Sequence, residues 1–365
     1  MKTEIFDIYS MAADETTAAI RHCGDIIRAG GLVVFPTETV YGLGADATNA
    51  DACRAIYTTK GRPSDNPLII HIACPEDAER YAVTSPLFRK LADAFMPGPI
   101  TVIMPVRDTI PASVTAGLGT VAVRCPSDPV AHALIAAAGV PIAAPSANLS
   151  GSPSPTCGAH VLADMNGRVD AILIGGACEV GLESTIVKLE SDDTVTLLRP
   201  GGITPEEIEA IGVHVRIADA VLGALREGER VLSPGMKYKH YAPRAPLTLL
   251  DGTPEQRAAY VRAHADAGTA VLCCEEEMPL YRGIIAPQLL LSTGARGQVA
   301  YYAHMLFALL RETDLRGAGK SYAALPGTSG LELALYNRMI RAAAHRIIPL
   351  RSGVSTETAE NEKGR

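Results

Sequence analysis

The chain reads as α/β, with a first domain on a mixed sheet and a second, smaller α/β domain. Three observations predict this. Its 365 residues exceed what one ordinary hydrophobic core serves, so a division into about two domains is expected. Short apolar runs alternate with segments of helical period, the pattern of strands and helices packed in layers. That alternation lapses after residues 199–202 and resumes at Leu247.

Residues 14–29 open with the capping-type residues Asp14 and Glu15, carry apolar positions at helical spacing and stop at Gly30-Gly31. A helix is predicted there, feeding a buried strand at 32–35. Further apolar runs predict strands at 68–72, 100–104, 121–124, 141–144, 171–174, 185–189 and 195–198, with helices at 50–59, 86–94, 129–138 and 158–165. Two strands in immediate succession within 185–198 predict a sheet that is not purely parallel. Residues 203–228 read as helical and turn-rich. Residues 233–243 then carry two prolines and no amphipathic period, yet concentrate Lys237, Tyr238, Lys239, His240 and Tyr241. A plain spacer would be Gly- or Ser-rich, so this segment is read as a lid or clamp. From Leu247 a second unit is predicted, with strands at 247–250 and 270–274 around a helix at 254–267, then helices at 299–312 and 331–347. The resulting division is 1–208 for the first domain, 209–245 for the linker, 246–350 for the second domain and 351–365 for a polar tail expected to be disordered.

With 47% hydrophobic and 20% charged residues the chain can bury a sizeable core. A formal charge of −7 argues against a general nucleic-acid coat, which rests on phosphate neutralisation by Lys and Arg. Residues 1–8 carry acids where a signal peptide would carry an apolar core, and 131–145 are broken by Gly139 and Pro141 and too short to span a bilayer. A cytoplasmic protein without a membrane partner is expected. The eight cysteines form no CxxC pair, so buried thiols are expected rather than structural zinc.

The chemistry-bearing stretches sit beside segments built to be buried. Lys60-Gly61-Arg62 precedes a loop closed by Pro63 and Pro67, directly before the apolar run at 68–72. Ser146-Ala147-Asn148 follows the buried run 140–145, and Pro36-Thr37-Glu38-Thr39 leads into glycines at 42 and 44. An Arg fork binds phosphate oxygens bidentately, and Lys adds a point charge to the same group. Charge developing on phosphorus during displacement is stabilised by such fixed cations. Arg124 ends an apolar strand, where it needs an anion from a protein carboxylate or a ligand. His71 ends another, where a satisfied core histidine is the usual explanation. Gly319-Lys320-Ser321 is not a P-loop, because the required first glycine is Asp314. Asp46 has no carboxylate partner for paired-carboxylate hydrolysis.

Taken together, residues 36–44, 60–67, 146–148, 183–185, 198–201 and 233–243 resemble the YrdC-like family in its two-domain L-threonylcarbamoyladenylate synthase form. The resemblance implies a twisted mixed sheet around a concave active site, followed by a smaller Rossmann-like domain. It implies condensation of L-threonine, bicarbonate or CO2 and ATP to threonylcarbamoyl-AMP and pyrophosphate, for modification of an adenosine beside the anticodon of certain tRNAs. It places Thr39, His71, Arg124, Ala144 and Ser184 around threonine. It places Lys60, Arg62, Asn66, Thr120, Ser146, Asn148, Ser154, Arg199 and Tyr238 on the ATP side, with Lys60 and Arg62 catalytic. Mg²⁺ is expected on the ATP phosphates and on no protein ligand set. The resemblance further implies the tRNA threonylcarbamoyl transferase machinery as downstream partner, with at most a weak contact to tRNA itself. Two other readings stay open at this point: an RNA-binding module, which would want a basic face and stacking aromatics, and an ATP hydrolase indifferent to threonine.

Overall fold

In the computed structural model, residues 2–223 and 240–350 are described, and their strands form two sheets. The larger holds β1 (Glu4–Asp7), β2 (Val33–Phe35), β3 (Gly42–Asp46), β4 (Ile69–His71), β5 (Ile100–Pro105), β6 (Thr120–Arg124), β7 (Ile142–Ala143), β8 (Ala171–Ile174), β9 (Thr185–Leu189), β10 (Thr194–Arg199) and β11 (His214–Ile217). Its order is β1-β8-β2-β3-β7-β4-β6-β5-β9-β10-β11. The sheet is mixed: β4 and β6 run parallel, whereas β9 and β10 form the antiparallel pair expected from their close succession. The smaller sheet holds β12 (Leu247–Asp251), β13 (Thr269–Cys273), β14 (Leu290–Ser292), β15 (Lys320–Ala324) and β16 (Ile347–Pro349), in the order β14-β13-β15-β12-β16. It is parallel throughout. Its fourth strand, β15, lies between the first two, where a Rossmann sheet sets those two side by side.

Several strands escaped the sequence reading for identifiable reasons. β1 and β11 are edge strands with mostly exposed residues, so burial imposes no alternation on them. β3 is fully buried but reads Gly-Leu-Gly-Ala-Asp. The glycines are required by packing, since a Cβ at Gly44 would lie 2.8 Å from the Phe35 ring. The helix predicted to reach residue 347 spans Glu332–Ala342, and Ala344 and His345, both at positive φ, turn the chain into β16.

The two sheets belong to one packed body. Val40 and Leu182 from the first unit share a buried cluster with Tyr241, Leu306, Phe307 and Leu310. Gly181 has φ +75, and a Cβ there would stand 2.3 Å from the His304 carbonyl oxygen, so both backbone angle and close approach demand glycine. Arg311 reaches back to Asp164 at 2.6 Å. Among the described residues no helix is long and apolar enough to cross a membrane.

Candidate active site

The helix Ala50–Lys60 delivers the first cations. Asn49 caps its start by accepting from the amides of Asp51 and Ala52, which fixes the helix register. Gly61 ends it in the left-handed region at φ 62, and the amide of Arg62 bonds back to Tyr57 O at 2.9 Å, a Schellman-type closure. This turn buries Lys60, whose Nζ donates to the carbonyls of Ser146 and Asn148. Burial and the neighbouring Arg62 charge push the Lys60 ammonium well below its usual pKa, opposed by Asp164 and Glu183. Arg62 grips its own loop, donating to Asn66 O at 3.2 Å and Pro67 O at 3.0 Å. Burial lowers its pKa to about 10.

The strands supply the opposite wall. His71 and Arg124 are register partners at the ends of the parallel strands β4 and β6, so their side chains emerge together. Arg124 Nη2 lies 2.8 Å from Glu38 Oε1 with both side chains almost fully enclosed. The anion that Arg124 requires is therefore a protein carboxylate, while its buried Nε has no hydrogen-bond partner among the described residues. His71 Nδ1 donates to Ile142 O at 3.3 Å, leaving Nε2 as the acceptor. Burial, reinforced by Arg124, lowers the His71 pKa to about 3, so the ring is neutral.

These walls enclose one cavity lined by Arg62, His71, Arg124, Ala144, Ser146, Asn148 and Arg199 from the sequence-predicted set. Ser146 Oγ donates to Asn148 Oδ1 at 2.5 Å, and Asn148 Nδ2 to Leu149 O and Ser152 O, a loop that closes on itself. Other predicted residues stand one layer back. Lys60 lies under the Ser146–Asn148 turn, and Ser184 accepts from Arg199 at 3.1 Å while bonding Thr101 at 2.7 Å. Ser154 donates to Glu183 at 2.6 Å. Thr39 is fully buried with its hydroxyl 2.8 Å from that of Thr37, and Thr37 faces the cavity. Asn66 is buried, and its Oδ1 has no hydrogen-bond partner among the described residues. Thr120 begins β6, four residues or about 13 Å before Arg124, and is not part of the lining. Tyr238, with residues 233–239, lies outside the described residues, as does the tail 351–365.

The sequence reading did not assign Thr37, Glu183, His240 or Tyr241 to the site, yet all line it. Glu183 was visible beside Ser184, and His240 and Tyr241 stood in the polar aromatic stretch. What was missing was their direction. Burial with the charges of Arg62 and Arg341 lowers the His240 pKa to about 3. Burial lowers that of His160 to about 4.

A pH dependence follows. Unfolded histidines protonate near pH 6.5 and these folded ones near 3 to 4. Between those limits the unfolded state binds more protons, so stability rises with pH and is lost on acidification below 6.5. Each ring contributes about 1.4 kcal/mol per pH unit within its window. Urea unfolding at pH 7 and 5 checks this, and His71→Asn should flatten the slope by about one proton's worth; an unaltered slope refutes the assignment to His71.

Fold and cavity together define a protein that gathers fixed cations, neutral donors and a neutral histidine around one polar cavity. Comparison with known proteins agrees. Residues 25–201 match the family described as "Telomere recombination", and residues 203–344 match "Threonylcarbamoyl-AMP synthase, C-terminal domain". Threonylcarbamoyl-AMP synthase of Bacillus subtilis is 43% identical over 333 residues, covering 90% of this chain and 94% of that one. The Pyrococcus abyssi protein of the same name is 41% identical over 338 residues, 90% of this chain and 95% of its own. The crystal structure of P. abyssi Sua5 complexed with L-threonine superposes with a TM-score of 0.83 at 37% identity, covering 96% of this chain and 99% of that one. The chain belongs to the threonylcarbamoyl-AMP synthase family, in its two-domain form.

Proposed function

We propose that the cavity is where L-threonine, bicarbonate or CO2, and ATP are joined to threonylcarbamoyl-AMP with release of pyrophosphate. The chain is a threonylcarbamoyl-AMP synthase, a nucleotidyltransferase serving threonylcarbamoyl-adenosine formation in tRNA. The observation that supports the site assignment is the convergence of His71 and Arg124 with Arg62, Ser146, Asn148 and Arg199 on one enclosed space. In this reading the first unit runs through β11 instead of ending at the predicted residue 208, since β11 pairs with β10 in the larger sheet, and the second spans 246–350 with an all-parallel sheet whose strand order departs from the predicted Rossmann-like one.

In this reading Arg124, braced by Glu38, takes the threonine carboxylate, while neutral His71 and the Thr37–Thr39 hydroxyl pair meet the substrate's polar groups. Ala144 and Ser184 shape the same side. The amine nitrogen adds to CO2 and loses a proton, giving a carbamate. A carbamate oxygen then attacks the α-phosphorus as the bond to the β-phosphate breaks and pyrophosphate departs. Arg62 faces the charge that builds on phosphorus, with Arg199, Ser146 and Asn148 as further donors, and Lys60 holds their loop from beneath. Asn66, Ser154, Thr120 and Tyr238 complete the proposed ATP side. Among the described residues no group of three or more His, Cys, Asp or Glu is placed to hold a metal. Mg²⁺ would be carried by the ATP phosphates, where it would supply neutralisation of the leaving pyrophosphate. The product passes to a transferase that acts on tRNA, and the cytoplasm is the compartment.

Pyrophosphate release by the purified protein, with threonine and bicarbonate omitted in turn, is the test. Dependence on both is expected. Serine, lacking only a methyl, should be disfavoured by about 1–3 kcal/mol, and valine, lacking the hydroxyl, far more strongly. Equal use of valine overturns the pocket assignment, and release independent of threonine means hydrolysis.

A further inference from the structure

Arg338, on the helix Glu332–Ala342 of the second domain, is the largest fully buried side chain among the described residues. A guanidinium is costly to remove from water unless its donors are filled, and here the fillers come largely from the first domain. Nε donates to Glu183 Oε2 at 2.9 Å, Nη1 to Pro200 O at 2.7 Å and Asn337 Oδ1 at 3.1 Å, and Nη2 to the Glu183 carbonyl at 3.3 Å. Cζ stands 5.8 Å from the centre of the Tyr241 ring, within cation–π range.

The contact continues into the cavity. The other oxygen of the same carboxylate, Glu183 Oε1, accepts from Ser154 at 2.6 Å, and both Glu183 and Tyr241 line the site. Burial alone would push the Glu183 carboxyl up; the Arg338 and Arg199 guanidiniums and the Ser154 hydroxyl bring it below its ordinary value. Neighbours on the helix behave differently. Asn337 Nδ2 bonds Val221 O at 2.7 Å, and Arg341 Nη2 bonds Ala220 O at 2.8 Å, contacts to the backbone of the short helix Asp219–Leu222 that follows β11.

We propose that Arg338 is a positioning residue for the ATP side of the reaction, holding Glu183 so that Ser154 and Tyr241 keep their places, and that the second domain thereby completes the active site. This rests on the synthase reading of the cavity. Without Arg338, Glu183 is a buried carboxylate still under the influence of the Arg199 guanidinium, which is now bonded to Ser184 O and Oγ. Glu183 would then draw Arg199 away or take up a proton, and either change disturbs the wall that faces the nucleotide.

The test is steady-state pyrophosphate release by the full-length enzyme and its R338M, R338K, S154A and R338M/S154A variants. R338M should raise the KM for ATP by about tenfold to a hundredfold, the size of effect that small misplacement produces, with the threonine KM changed by less than about twofold. R338K should recover part of the loss. Because the two residues act through one carboxylate, R338M added to S154A should cost less than about a further threefold. Equal increases in both KM values, or a fall in turnover matching only the loss of folded protein by circular dichroism, overturn the proposal. If R338M fails to fold, R338K and E183Q decide: a rise confined to the ATP KM supports the proposal, and an unchanged ATP KM in both overturns it. Wild-type protein that releases no pyrophosphate with threonine and bicarbonate present sinks the synthase reading and the proposal with it; an active wild type with an unaffected R338M sinks the proposal alone.

Discussion

Replacing Arg124 by leucine is expected to raise the KM for threonine by about a hundredfold, the loss of a buried charge-assisted contact worth about 2–5 kcal/mol, and to destabilise the fold as well. Glu38 would be left as an enclosed carboxylate, since its ion pair with Arg124 at 2.8 Å is formed between side chains only 5% and 4% exposed. Breaking such a pair from one side costs about 3–5 kcal/mol. The double replacement Arg124→Leu with Glu38→Leu separates the two effects. Exchanging a whole buried pair for apolar residues of similar volume is close to neutral or stabilising, so the melting temperature should return most of the way while threonine use stays lost. Recovery of the threonine KM in the double variant would show that Arg124 serves Glu38 alone and touches no substrate.

Lys60→Met should be nearly as damaging, by a different route. The buried ammonium donates to the carbonyls of Ser146 and Asn148, and methionine matches its length without a donor. Each abandoned buried carbonyl costs about 1–3 kcal/mol. The Ser146–Asn148 loop would relax, displacing two cavity-lining donors beside Arg62, and a fall in kcat/KM of about 10²–10³ is expected from the loss of fixed stabilisation at phosphorus. Urea unfolding and pyrophosphate release on the same preparation check both parts. A variant that loses stability but keeps kcat/KM would confine Lys60 to holding the loop.

Much of this was legible in the sequence because burial leaves a linear trace. The runs that became β8 and β9 coincide with their predicted bounds, as do the helices Pro129–Ala138 and Gly158–Met165, since each is an apolar segment flanked by turn or capping residues. The pairing of Lys60 with the Ser146–Asn148 stretch was also legible, as two polar groups each set against a buried segment. The strands β3 and β15 were not. Glycines and alanines carry little hydrophobic signal, and their burial follows from neighbours such as Phe35 that arrive from elsewhere in the chain. For Arg124 the requirement for an anion could be read but not its source, because a strand end 86 residues from Glu38 says nothing about which carboxylate will meet it.

By itself, the sequence determined the α/β class, the mixed character of the first sheet, the family and the polar motifs that carry its chemistry, since these depend on local pattern and residue type. Tertiary structure alone decided which of those residues face the cavity and which stand behind it: Thr37 in front of Thr39, Lys60 beneath the loop it holds, Glu183 between Ser154 and an arginine 155 positions away in another domain. The reason is that burying a charge requires a partner wherever folding happens to supply one, and that partner is chosen by the geometry of packing across the chain.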